Sequence, residues 1–89
     1  MVLKGDFSLK NQRTITMGTV IRRLRMANQL SQEELSERSG LDTKFISNIE
    51  RDYQLPGFDS FCALAESFNM RGSELFKLIE DFNDKQRNL

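Results

Sequence analysis

Leu30-Ser31-Gln32-Glu33-Glu34-Leu35-Ser36-Glu37-Arg38-Ser39-Gly40-Leu41-Asp42-Thr43-Lys44-Phe45-Ile46-Ser47-Asn48-Ile49-Glu50-Arg51 is the stretch whose reading decides the fold. Ser31 stands as the N-cap of a helix, Glu34 three residues on completes a capping box, and Leu30 and Leu35 staple the entry. Gly40 supplies a residue free to take positive φ, which stops that helix after about two turns. Asp42 or Thr43 then caps a second helix that carries Phe45, Ile46 and Ile49 to about Arg51. Leu35, Leu41, Ile46 and Ile49 form an apolar wedge between the two, and the small Ser36 lets them cross at a steep angle.

Working outward, Val20, Ile21, Leu24 and Ala27 recur at three- and four-residue steps and predict a helix from Met17 to about Gln29. Its Arg22, Arg23 and Arg25 fall elsewhere on the wheel. On the other side, Asp52 to Gly57 reads as a loop marked by Pro56. Phe61, Leu64, Ala65 and Phe68 share one face of a fourth helix over about 58–68. Met70-Arg71-Gly72 turns the chain, and Ser73 is expected to cap a fifth helix running to about Phe82. Residues 1–16 lack helical periodicity and read as a flexible N-terminal arm, and the polar residues 83–89 read as a frayed tail. The expectation is an all-α, compact orthogonal bundle of five helices over residues 17–82.

Composition narrows the function. A chain of 89 residues has room for one domain, and 38% hydrophobic with 29% charged residues is globular rather than disordered. There is no histidine and one cysteine, Cys62. An internal disulfide is therefore impossible, a zinc site lacks nearly all its usual ligands, and most catalytic triads are excluded. Cys62, between Phe61 and Leu64, reads as an inert thiol. No metal, cofactor or catalytic residues are expected, nor a small-molecule ligand. No apolar run approaches the roughly 20 residues that span a bilayer. The opening Met1-Val2-Leu3-Lys4-Gly5-Asp6-Phe7 has no signal-peptide core, so a cytoplasmic location is expected. Basic and acidic residues balance at 13 each, but unevenly: residues 1–25 hold six basic side chains against Asp6 alone, while residues 55–89 are net acidic. That distribution permits nucleic-acid binding at the basic end.

The joint pattern Ile21-Arg22-Arg23-Leu24-Arg25, Leu30 to Leu35, Gly40-Leu41, Phe45-Ile46-Ser47, Ile49-Glu50-Arg51 and Pro56, continuing through Ala65 and Glu74-Leu75, resembles the xenobiotic-response-element, or Cro/repressor-type, helix-turn-helix family over about residues 17–79. Within that family the compact plan is similar to restriction–modification controller proteins and short phage or plasmid repressors. Asp52 stands where the family usually has glycine, and Ser36 where alanine is usual; Asp tolerates the left-handed region better than most residues. The resemblance implies a lambda-repressor-like fold with a central helix-turn-helix, and a bacterial or phage-encoded transcriptional regulator that binds double-stranded DNA.

It also implies roles. The second helix of the pair would enter the major groove, with Thr43, Lys44, Ser47 and Asn48 reading bases while Ile46 and Ile49 face inward. Asn suits adenine, Lys suits guanine or a phosphate, and the Thr43 methyl suits thymine. Phe45 borders both faces, and core is favoured over a thymine contact. Gln32 is the family's usual phosphate clamp at a helix N-terminus, with Arg51, Gln54, Arg22 and Arg23 as further phosphate candidates. Arg25 and Glu50 correspond to a structural ion pair.

One such domain covers about half a site, which implies a homodimer on a palindromic operator. Leu75, Phe76, Leu78, Ile79 and Phe82 exceed one helical stripe, so Phe76, Ile79 and Phe82 are expected at a dimer contact. The alternative is a protein-binding helical module, such as an antitoxin or anti-repressor partner, which would show little of the salt dependence of DNA binding.

Overall fold

A computed structural model describes residues 15–87; residues 1–14, most of the expected arm, and residues 88 and 89 lie outside it. Five helices follow one another: α1 Gly18–Ala27, α2 Gln32–Ser39, α3 Thr43–Glu50, α4 Phe58–Ser67 and α5 Gly72–Arg87. No strand occurs among the described residues. α3 packs against both α1 and α2, α4 joins α2 to α5, and α5 returns to α1. The centre is apolar: Ile21, Leu35, Ile46, Ile49, Leu64, Leu75 and Ile79 are fully buried. Each such side chain stabilises the fold by about 1.5–3 kcal/mol relative to exposure. Leu24, Leu41, Phe45, Phe61 and Phe82 pack around them half-buried, whereas Ala27, expected on the α1 stripe, is exposed.

Each helix is delimited by a physical stop. At α2 both halves of the capping box form: the Glu34 N–H donates to Ser31 Oγ at 3.0 Å and the Ser31 N–H to Glu34 Oε1 at 2.8 Å. Asp42 caps α3 by accepting from the Lys44 N–H, which leaves Thr43 as the first helical residue. Gly40, at φ 77°, ends α2. The other three turns place side-chain-bearing residues in the same left-handed region: Gln29, Asp52 and Asn69, all near φ 60°. The next residue in each turn donates five back, Leu30 to Arg25 O, Tyr53 to Asn48 O and Met70 to Ala65 O. That bond is the six-to-one closure of a Schellman motif, so these turns follow one plan.

Two boundaries differ from expectation. α5 begins at Gly72, so Ser73 lies inside it, and the entry is closed by the Arg71 N–H donating to Glu74 Oε1. The same helix runs on to Arg87 and takes in residues 83–87 of the expected tail. Asn83 explains the extension. Though polar, it is only 8% exposed; its Nδ2 donates to Thr16 O and Ile79 O, and its Oδ1 accepts from the Thr16 N–H. A buried amide with donors and acceptor satisfied holds the segment before α1 against α5.

Gly18 lies against the end of α3 with no room for a side chain. A Cβ placed there would collide with the Glu50 carbonyl and sit 2.7 Å from Ile49 O. Only glycine allows α1 to approach the end of α3 this closely.

Candidate nucleic-acid interface

α3 turns one side to the core and the other outward. Ile46 and Ile49 are fully buried and Phe45 packs half-buried beside them. Steps of one and four residues then place Thr43, Lys44, Ser47 and Asn48 on the opposite side. Lys44 is exposed and the other three are partly so. From Thr43 to Asn48 the axis rises about 7.5 Å, about two base steps at 3.4 Å each.

Behind this face, three helices meet at one carboxylate. Arg25 Nε donates to Glu50 Oε2 at 2.7 Å and Arg25 Nη2 to Glu50 Oε1 at 3.0 Å, a two-pronged pair between α1 and α3. Arg25 Nη1 also donates to Leu30 O in the turn before α2. The Glu50 side chain is only 3% exposed, and its hydrogen bond raises the pKa of the Arg25 guanidinium further above its ordinary value, against the opposing effect of burial. Glu50 Oε1 accepts once more, from Gln32 Nε2 at 3.0 Å. Gln32, the expected phosphate clamp, thus has its amide nitrogen engaged on the protein and ties α2 into the same node.

A second acid two residues on acts differently. α1 starts with no side-chain cap of its own; instead Asp52 Oδ1 accepts from the Gly18 N–H at 2.9 Å and the Met17 N–H at 3.2 Å. The residue that departs from the family's glycine caps a helix 34 residues away. In the same loop Gln54 Oε1 accepts from Asn48 Nδ2 at 2.8 Å. Neither bond has a local sequence signature; the uncapped Met17-Gly18 start is the one hint for the first.

The arginines separate. Arg51 lies 4.6 Å from the Tyr53 ring centroid, at the end of α3. Arg23 lies 5.5 Å from the Phe82 ring centroid and is drawn toward α5. Arg22 is exposed.

The residues expected at a dimer contact also separate. Ile79 is 0% exposed and belongs to the core, because Leu75, Ile79 and Phe82 make the inward stripe of α5. Phe82 is half-buried beneath Arg23. Phe76, 45% exposed, flanks that stripe and meets Phe61 edge to face at 6.5 Å. Beside them Phe58, at the start of α4, is 80% exposed. These aromatics line a shallow depression with Met17 and Pro56. Among the described residues no acidic or cysteine cluster is arranged to hold a metal, and no helix is long and apolar enough to cross a membrane.

The model of the helix-turn-helix family of Cro/C1 type matches residues 21–75. No curated protein sequence matches the chain. Among solved structures, the chain is similar to the restriction-modification controller protein C.AhdI from Aeromonas hydrophila, with 33% identity and TM-score 0.65 over 68% of this chain and 92% of that one. It is also similar to a point mutant of the controller protein C.Esp1396I bound to its highest-affinity operator site, with 26% identity and TM-score 0.67 over 73% and 86%. The DNA-binding domain of the P22 c2 repressor gives 27% identity and TM-score 0.67 over 74% and 87%. The chain belongs to the helix-turn-helix family of Cro/C1 type, whose members are DNA-binding transcription regulators.

Proposed function

We propose that this chain is a non-catalytic regulator of the controller or repressor kind, acting as a homodimer on a palindromic operator in the cytoplasm. The observation that carries the reading is the outward face of α3: Thr43, Lys44, Ser47 and Asn48 stand away from the core on a helix whose other side is buried. Their donors and acceptors suit base edges, and a run of about 7.5 Å, or two base steps, suits the floor of a major groove. Arg51, Gln54 and Arg22 are the candidates for phosphate contacts around that face. Gln32 keeps one amide hydrogen for a phosphate while its other serves Glu50. Arg23, stacked on Phe82, contributes charge at longer range.

The dimer reading moves from Ile79 to the aromatic patch. Phe58, Phe61 and Phe76 offer an apolar surface next to the α3–α4 loop, of the aromatic kind that interface cores favour. Phe82 is a lesser contributor, being partly spent on the core. Sedimentation of Phe58→Ser/Phe76→Ser is expected to show monomer at concentrations where the parent is dimeric. Selection from a pool of random duplexes, followed by sequencing, tests the whole reading. A recovered palindrome whose half-site preference changes in Asn48→Ala supports it. Failure to enrich any sequence, with helicity intact, would instead favour the protein-binding module.

A further inference from the structure

We infer that Gln54 is a positioning residue for base reading: it fixes the Asn48 side-chain amide in the one orientation that selects adenine over guanine. This rests on the base-reading role proposed for Asn48 and adds a specificity determinant outside the recognition helix. Gln54 follows α3 by four residues and is exposed, so sequence position marks it as a backbone contact. The geometry points elsewhere. Its Oε1 accepts from Asn48 Nδ2 at 2.8 Å. Its own N–H reaches the Asn48 carbonyl at 3.4 Å, and the Tyr53 N–H reaches the same carbonyl at 2.8 Å. The loop therefore folds back on Asn48 through both backbone and side chain. It is anchored at Asp52, which is bonded to the start of α1, and at Tyr53, whose ring lies against Arg51.

An asparagine amide carries one acceptor oxygen and two N–H donors on a single nitrogen. Unrestrained, it can rotate by half a turn and reverse the order of donor and acceptor. It can also direct both N–H groups at guanine, whose major-groove edge offers two acceptors, N7 and O6. Adenine offers an acceptor and a donor, N7 and N6. With one N–H committed to Gln54, Asn48 retains one oxygen and one N–H. That remainder matches adenine, and the two-donor mode for guanine is removed. The Gln54 amide nitrogen stays free to donate to a phosphate, which would link backbone contact to amide orientation.

The test is random-duplex selection with the full chain as parent, Gln54→Ala, Gln54→Glu and Asn48→Ala. The Asn48→Ala profile identifies the operator position that Asn48 reads. At that position Gln54→Ala is expected to lower the adenine-over-guanine preference by roughly tenfold, within the range a bidentate contact supplies, with every other position unchanged. Gln54→Glu keeps an acceptor for Asn48 Nδ2, so it is expected to restore the preference while weakening binding to all sequences through its charge. A uniform loss of affinity in Gln54→Ala with the preference intact would make Gln54 a phosphate contact alone and overturn the inference. A parent that enriches a palindrome while Asn48→Ala alters no position would remove the base-reading role of Asn48, and the positioning role with it. A parent that enriches nothing overturns the DNA-binding proposal itself.

Discussion

Glu50 and Asp52 are acids two residues apart, both bonded to α1, and they hold it by different physics. Glu50 is buried and meets a guanidinium through two charge-assisted bonds, with Gln32 as a third donor. Asp52 is exposed and accepts two orphan N–H groups at the start of a helix. The buried pair loses hydration that its attraction only partly restores, so its net worth is small although breaking it is expensive. The exposed cap loses little water and stabilises modestly. The buried acid provides geometry, and the exposed one satisfies the start of a helix. Together they lock α1 across the last turn of α3, so the outward face has a fixed frame behind it.

The severest way to break that frame is to push the two helices apart. In an ordinary helix, Gly→Ala stabilises by about 1 kcal/mol. At Gly18 the added methyl meets two backbone carbonyls that cannot rotate away, and the expected loss is about 4 kcal/mol or more. A thermal melt of Gly18→Ala followed by circular dichroism reads it directly. A variant as stable as the parent would mean α1 and α3 are not in backbone contact. Next in size is Arg25→Met, which leaves Glu50 buried without its partner and is expected to lose about 3–4 kcal/mol. Adding Glu50→Leu should recover most of it, because then no charge is left unpaired. If the double variant were as unstable as the single, the node would contribute net stability as well as register.

Asp52 sharpens the contrast because two effects meet in one residue. Its cap on α1 stabilises by about 1 kcal/mol, while its backbone at φ 60° costs a non-glycine residue about 1 kcal/mol or more. Asp52→Gly gives up the cap and relieves the backbone, so the melting midpoint should barely move. Asp52→Ala gives up the cap and keeps the strain, for an expected loss of about 1–2 kcal/mol. Equal stability of the two variants would show that the left-handed turn carries no strain at this position.

These contacts also mark where sequence reading stops. α2 and α3 are legible because their signals are local: the capping box closes over three residues and Gly40 acts on its own backbone. Apolar spacing locates the side that α3 turns outward for the same reason. The Asp52 cap spans 34 residues and the Asn83–Thr16 clasp 67, and no periodicity says which distant N–H an acid or amide will find. Hence spacing ends α5 at Phe82, where its apolar stripe stops, although Asn83 continues the buried side with a satisfied amide. Ile79 reads as surplus because a sequence cannot say how wide a stripe the neighbouring helices will cover. On the outward side of α3 and around it, spacing marks candidate residues but not their pairings. Asn48 with Gln54 and Gln32 with Glu50 depend on side chains meeting across a loop or between helices, which spacing alone does not encode.

The smallest effect lies at the capping box of α2, away from both acids, and it concerns pH. The Glu34 carboxylate is held below its ordinary value of 4.5, first by the Ser31 backbone N–H and then by the Ser31 hydroxyl. A carboxylate depressed in the folded state binds its proton more weakly there than in the unfolded chain. Its contribution is therefore full above pH 4.5 and fades as pH falls through the lower folded value. Glu34→Gln keeps an oxygen for the Ser31 N–H, so the box should persist near neutrality. The variant should melt close to the parent at about pH 7 and lose less of its midpoint than the parent between about pH 5 and about pH 3. Arg25 offers no such handle on the basic side, since its bond to Glu50 moves the guanidinium away from neutral pH. Parallel acid limbs for the two proteins would mean that Glu34 stabilises α2 through its shape and not its charge.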